Sequence, residues 1–174
     1  NGGPKYMSFF FQEFIPYIES TYAIKAEKKS RAIGGLSMGG YGSLYYGTLH
    51  PEMFCYVYAC SAAINVGVSA PDPALLISQA VSAGKVKEMP GFTLAIGTED
   101  TTVGSNDPFM NTLAGCFQII MTHRIYFSNI TEANILAAFI IVSRWKRHNF
   151  IGQFYQVFCF TCKNNCSIFI VSIV

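Results

Sequence analysis

The residues best suited to chemistry begin with one serine set between glycines. Residues 34–40 read GGLSMGG, which matches the pattern G-x-S-x-G through Gly35, Ser37 and Gly39. A serine on a sharp turn between a strand and a helix has its hydroxyl raised above the sheet edge, where it can attack a carbonyl carbon. The glycines are required because this turn brings the flanking backbones together. The sequence therefore predicts Ser37 as a nucleophile.

Attack on a carbonyl also needs donors for the oxygen that becomes negative and a carboxylate behind the base. The backbone N–H of Met38, at the start of the following helix, is the predicted oxyanion donor. Asp100 ends the segment GTED at residues 97–100, just after an apolar run and later in the chain than the serine. That order favours Asp100 as the acid, with Glu99 and Asp107 as alternatives.

A histidine must take the proton of the serine, and the chain has three. His50 comes before the acid and is expected to end a helix. His123 follows the apolar run 117–121, about where a final strand is expected to end, and it is the predicted base. His148 is the alternative, and the reading in which neither histidine serves stays open.

The apolar pattern supplies elements that could hold these side chains. A helix with its apolar residues three and four apart is expected over residues 6–22, with a kink at Pro16. Residues 64–91 contain three prolines and are expected to form an insertion or cap. Strands alternating with helices predict an α/β fold with a mostly parallel sheet flanked by helices. The predicted strands are 32–36, 54–60 and 92–96, and the remaining helices are 38–49 and 107–114.

Three segments carry a family resemblance. The segments FIPYIE at residues 14–19, RAIGGLSMGGYGSL at residues 31–44 and HPEMF at residues 50–54 resemble the putative-esterase family of α/β-hydrolases. The match is close over residues 3–63 and resumes at residues 97–100, where the family has its catalytic aspartate. The resemblance implies a serine carboxylesterase acting on acetyl or feruloyl type esters, small or carbohydrate-linked. An acyltransferase of the same family and a catalytically inactive hydrolase-like fragment are the alternatives.

The chain departs from the family at both ends. Only 36 residues precede Ser37, and they hold one predicted helix and no strand earlier than 32–36. The upstream strands of the fold, and the second oxyanion donor that follows one of them, are therefore expected to be missing. The family's Gly-Gly-His-x-Trp motif is absent as well. We expect a partial α/β-hydrolase core over residues 1–115 and an uncertain tail, possibly aberrant in reading frame, over residues 116–174.

Composition argues against several other classes. Charged residues make up 13% of the chain, the formal charge is +2, and residues 144–147 form the single tight basic cluster, so no nucleic-acid partner is predicted. The apolar runs 135–142 and 167–174 are too short to cross a bilayer. Residues 1–4 lack the features of a signal peptide, but the truncated appearance of this end leaves the location open. The oligomeric state also stays open.

Three cysteines form the pattern C-x2-C-x3-C. Cys159, Cys162 and Cys166 could bind a metal or pair as disulfides, but no fourth ligand follows at a standard spacing. We therefore predict no metal site and no cofactor.

Overall fold

A computed structural model of the chain contains one six-stranded sheet, with the strand order β4-β3-β2-β1-β6-β5. The structure describes residues 5–64 and 72–115, together with the backbone alone of residue 116 and of the last three strands. The strands are β1 (Arg31–Leu36), β2 (Tyr56–Cys60), β3 (Gly91–Gly97), β4 (Thr122–Phe127), β5 (Gln156–Thr161) and β6 (Ser167–Ser172).

The central strands run parallel, so their carboxyl ends meet at one edge. Leu36 of β1 pairs with Cys60 of β2, and Cys60 pairs with Ala95 of β3. Strand β4 continues this parallel order beside β3, and β6 lies parallel to β1 on its other side. Strand β5 is antiparallel to β6. The predicted α/β architecture with a mostly parallel sheet is therefore confirmed, and in residues 5–30 no strand precedes β1.

The helices after β1 alternate with the strands. They are α3 (Met38–Leu49), α4 (Pro73–Ser82) and α5 (Val103–Cys116), with a short 3-10 turn over Val86–Glu88. Helix α3 has the predicted bounds and ends before Pro51, which disfavours helical backbone at the residue before it. Helix α5 begins four residues earlier than predicted, and it includes Pro108.

The segment 64–91, which was expected to be an insertion or cap, contains α4 and the start of β3 in its described part from residue 72 onward. Asp72 caps α4, since its Oδ1 accepts a hydrogen bond from the Ala74 N–H at 2.9 Å. Pro73 occupies the first helical position, where its missing N–H removes no hydrogen bond. The Asp-Pro pair is thus a helix start, although the prolines alone suggested a loop. Residues 65–71 lie outside the described part.

The amino-terminal helix is irregular at the predicted place. It consists of α1 (Tyr6–Phe9), a π-helical segment (Phe10–Phe14) and α2 (Ile15–Thr21). Pro16 lacks an N–H, and its ring would clash with the carbonyl four residues earlier in regular α-helix. The wider π-helical turn directly before Pro16 relieves that clash.

The main core lies on one face of the sheet. Ile33, Val57 and Phe92 share a register row, and they pack with Leu44 of α3 and Leu113 of α5. All five are almost fully buried. The opposite face carries a smaller cluster of Cys60 and Ala95 with Leu36 and Tyr58 packed against it.

A buried arginine attaches the amino-terminal helix to this core. Arg31, at the start of β1, donates from Nε to Glu19 Oε1 at 2.9 Å and from Nη1 to the Met53 carbonyl at 2.9 Å. Its Nη2 also contacts Glu19 Oε1. Because the guanidinium is buried, the loss of Glu19 would leave an uncompensated charge.

The segment 116–174 contributes three strands to the same sheet, and its other residues lie outside the described part. The division at residue 115 therefore stays a prediction. Within residues 5–64 and 72–116, no helix is both long and apolar enough to cross a bilayer.

Two glycines of α3 give a matched test of how closely this helix approaches the sheet edge. A Cβ at Gly40 would lie 2.9 Å from the Cys60 carbonyl oxygen and 3.1 Å from Ala62 Cα, both backbone atoms, whereas a Cβ at Gly42 would meet nothing within 4 Å. We expect Gly40→Ala to destabilise the fold by about 1–3 kcal/mol. Gly42→Ala should stabilise it by about 0.5–1 kcal/mol. Thermal unfolding of both variants checks this, and equal shifts would contradict it.

Candidate active site

Ser37 lies between β1 and α3 in a backbone conformation that L-residues rarely adopt. Its φ is 57° and its ψ is −116°. Such a conformation costs on the order of 1–3 kcal/mol and persists only where neighbouring structure enforces it. The side chain is half-buried, at the carboxyl edge of the sheet. This is the strand–turn–helix geometry that the glycine pattern predicts.

Backbone hydrogen bonds on both sides hold Ser37 in place. Its N–H donates to the Cys60 carbonyl at 2.9 Å, and its own carbonyl accepts from the Ala63 N–H at 3.0 Å. Both partners belong to the end of β2 and the loop after it. The same carbonyl accepts the Tyr41 N–H at 3.1 Å, which is the first i to i+4 bond of α3.

Met38 is the first residue of α3. Backbone N–H groups in the first turn of a helix have no intrahelical partner, and the helix dipole favours negative charge there. The Met38 residue is 40% exposed. The arrangement suits an oxyanion donor, and that role stays a prediction.

Asp100 follows β3 at the same edge of the sheet and is buried, with 6% of its surface exposed. Its Oδ1 accepts from the Thr102 N–H and from Thr102 Oγ1, both at 2.7 Å. Its Oδ2 is buried and has no hydrogen-bond partner among the described residues. The carboxylate thus has one oxygen fixed and one left to accept a donor. The alternatives differ, because Glu99 is exposed and Asp107 lies within α5.

Burial and hydrogen bonding act in opposite directions on this carboxyl. Burial raises the pKa of Asp100, but interactions with the Ser61 hydroxyl and the two Thr102 donors outweigh it, so the pKa is lowered from its ordinary value of 3.8. The Ser61 hydroxyl lies near enough to contribute, although it forms no hydrogen bond of normal geometry. Asp100 is therefore ionised at neutral pH.

Sequence reasoning missed Ser61 and Thr102. Ser61 follows β2, is fully buried and has a φ of 43°. Its N–H donates to the Ala95 carbonyl at 2.8 Å. A serine one residue after an apolar strand gives little signal, since its role depends on a neighbour about forty positions later. Thr102, two residues after an aspartate, was a more accessible signal for a local turn.

Cys60 does not compete with Ser37 as a nucleophile. Burial raises the pKa of the Cys60 thiol to about 12, so the thiol stays protonated at neutral pH. The side chains of the C-x2-C-x3-C cluster lie outside the described residues.

The three histidines have different positions. His50 follows α3 at its carboxyl end, about 18 Å along the helix from Ser37, and its Nδ1 lies 3.1 Å from Glu52 Oε1. His123 lies in β4 opposite Thr93, so β4 begins, and does not end, near this residue. Its backbone is four residues, about 13 Å, before the end of the strand at the active edge. The side chain of His123 and all of His148 lie outside the described residues.

A parallel sheet, a strained serine at its carboxyl edge and a buried carboxylate after a later strand define an α/β-hydrolase fold. A profile of the family described as "Putative esterase" matches residues 1–114. The chain belongs to that family.

Solved structures of esterases have similar folds. A ferulic acid esterase is 25% identical, with a TM-score of 0.66 over 79% of this chain and 58% of that one. An S-formylglutathione hydrolase from Staphylococcus aureus is 18% identical, with a TM-score of 0.65 over 78% of this chain and 58% of that one. A feruloyl esterase module from Clostridium thermocellum complexed with sinapinate is 21% identical, with a TM-score of 0.63 over 86% of this chain and 64% of that one. The chain thus spans about 60% of the length of these proteins.

The lowered pKa of Asp100 predicts a pH-dependent part of the stability. Because the folded state holds the proton less tightly than the unfolded state, this part is present above the ordinary pKa of 3.8 and is lost as the pH falls through the lower folded pKa. We expect the free energy of unfolding to fall less steeply with pH below about 4 in Asp100→Asn than in the wild type. Denaturant unfolding at a series of pH values measures this.

The exposed neighbour supplies the control for that experiment. Glu99→Gln removes a carboxyl on the surface, one residue before Asp100. The free energy of unfolding of this variant should depend on pH as steeply as that of the wild type. A wild-type slope in Asp100→Asn would show that the Thr102 and Ser61 contacts do not stabilise the ionised carboxyl.

Proposed function

We propose that this protein is a serine carboxylesterase that hydrolyses acyl esters through an acyl-enzyme on Ser37. The observation that carries the proposal is a strained serine at the carboxyl edge of the sheet, with a buried carboxylate at the same edge. One oxygen of that carboxylate has no hydrogen-bond partner among the described residues. Strain of this kind is maintained where function needs it. Membership of the esterase family supports the same chemistry.

In the proposed reaction, Ser37 Oγ attacks the ester carbonyl while a histidine takes the hydroxyl proton. The Met38 N–H and the amino end of α3 stabilise the negative oxygen that forms. The histidine then gives its proton to the departing alcohol, and water releases the acid by the reverse sequence. Asp100 Oδ2, which is buried and has no partner in the described part of the chain, would accept the other ring N–H of that histidine and fix its tautomer.

The substrates we propose are acetyl or feruloyl type esters, either small or linked to carbohydrate. The support is the likeness to a ferulic acid esterase and to a feruloyl esterase module complexed with sinapinate. Release of free acid from a feruloylated sugar, measured with and without an added sugar acceptor, separates hydrolysis from acyl transfer.

Ser37→Ala tests the nucleophile. We expect a fluorophosphonate to label the wild type, and we expect the wild type to hydrolyse 4-nitrophenyl acetate. Ser37→Ala should not be labelled, and its rate of hydrolysis should be lower by about 10³-fold or more. Ser82→Ala is the matched control, because Ser82 is an exposed serine on α4. A wild type that takes no label would overturn the proposal and favour an inactive hydrolase-like chain.

The identity of the base is tested by histidine variants. The position of His123 in the first half of β4 argues against the predicted role, so His123→Ala should keep the labelling rate within about twofold. His148 is then the remaining candidate in this chain, and His148→Ala should abolish labelling. His50→Ala is the control. Loss of labelling in His123→Ala alone would restore the first prediction.

A further inference from the structure

Asn106 lies where the two loops that carry the proposed catalytic residues approach each other. It is in the first turns of α5 and is 3% exposed. Its Nδ2 donates to the Ala62 carbonyl at 2.7 Å and to the Thr102 carbonyl at 2.9 Å. A carboxamide nitrogen has two hydrogens, so both bonds are used and the orientation of the amide is fixed by two acceptors.

Each of these carbonyls belongs to a segment that holds one reactive group. Ala62 lies beside Ala63, whose N–H holds the Ser37 carbonyl. Thr102 donates twice to Asp100 Oδ1. One buried side chain therefore connects the support of the serine to the support of the carboxylate, which are otherwise on separate loops after β2 and β3.

We infer that Asn106 is a positioning residue that sets the spacing between Ser37 and Asp100; this inference rests on the proposed function. The physical reason is the connection that its side chain makes between the two segments. Each carbonyl also accepts from its own segment, Ala62 from the Ile64 N–H at 2.9 Å and Thr102 from the Asn106 N–H at 3.0 Å. Those bonds do not join the segments, whereas the Asn106 amide bonds to both of them at one buried point. Without it the loops would separate or admit water, and a displacement of about 1 Å at a reacting group can lower the rate about 10²-fold.

The test uses Asn106→Leu, which keeps the branch at Cγ and the number of side-chain heavy atoms and removes both donors. Asn111→Leu, the same change at an exposed position of α5, is the control. We expect Asn106→Leu to lower kcat for 4-nitrophenyl acetate about 10- to 100-fold with KM unchanged within about twofold. Asn111→Leu should have the kcat and the KM of the wild type. If Asn106→Leu does not fold, Asn106→Asp keeps the shape and removes both donor hydrogens when ionised.

Amide hydrogen exchange gives a readout that does not depend on activity. In Asn106→Leu the Ala63 and Thr102 amides should exchange about tenfold faster, while the Val57 and Leu94 amides in the strands stay unchanged. A uniform acceleration, unchanged exchange at Ala63 and Thr102, or an unchanged kcat would overturn the inference. If the wild type is inert and Ser37 takes no label, the proposed function fails. In that case, faster exchange of the Ala63 and Thr102 amides in Asn106→Leu would still support the connection between the loops.

Discussion

The geometry of the site depends on the register between β1 and β2. With Leu36 opposite Cys60, the Ser37 N–H meets the Cys60 carbonyl and the Ser37 carbonyl meets the Ala63 N–H. These bonds hold the serine in a backbone conformation that costs about 1–3 kcal/mol by itself. A slip of one residue would separate both pairs and turn every side chain of β1 to the other face of the sheet. The pairing that builds the core therefore also imposes the turn.

The close approach of α3 to the loop after β2 follows from the same pairing. A turn this tight starts the helix directly above Cys60 and Ala62, and Gly40 leaves room for their backbones. Farther along α3, Gly47 faces a side chain of the sheet, and a Cβ there would overlap Val57 Cγ2. Glycine in mid-helix lowers stability. Contact with β2 and the loop after it explains the glycines at positions 40 and 47.

The local features were predictable from sequence, and the long-range ones were not. The strands β1, β2 and β3 follow from short apolar runs. The turn at Ser37 and helix α3 follow from the glycines beside the serine, because one strand and one helix determine the geometry of that turn. Helix α4 was missed because prolines were read as loop residues, although Asp72 and Pro73 begin it. Asn106 gave no signal at all, because its role depends on two carbonyls from separate loops. The base stayed undetermined for a related reason: a histidine acts through its position in space, and periodicity says little about residues 116–174.

The pairing of β1 with β6 has a consequence for synthesis on the ribosome. Arg31 of β1 pairs with Ser167, far along the chain, whereas β2 and β3 are made soon after β1. Among the described strands, this side of β1 is open until β6 has been synthesised, and Ile33 lies next to it in an apolar strand. An open strand edge of this kind can pair with another nascent chain. Among these strands, the pairing of β1 with β6 therefore also protects the edge of β1 against association with other chains.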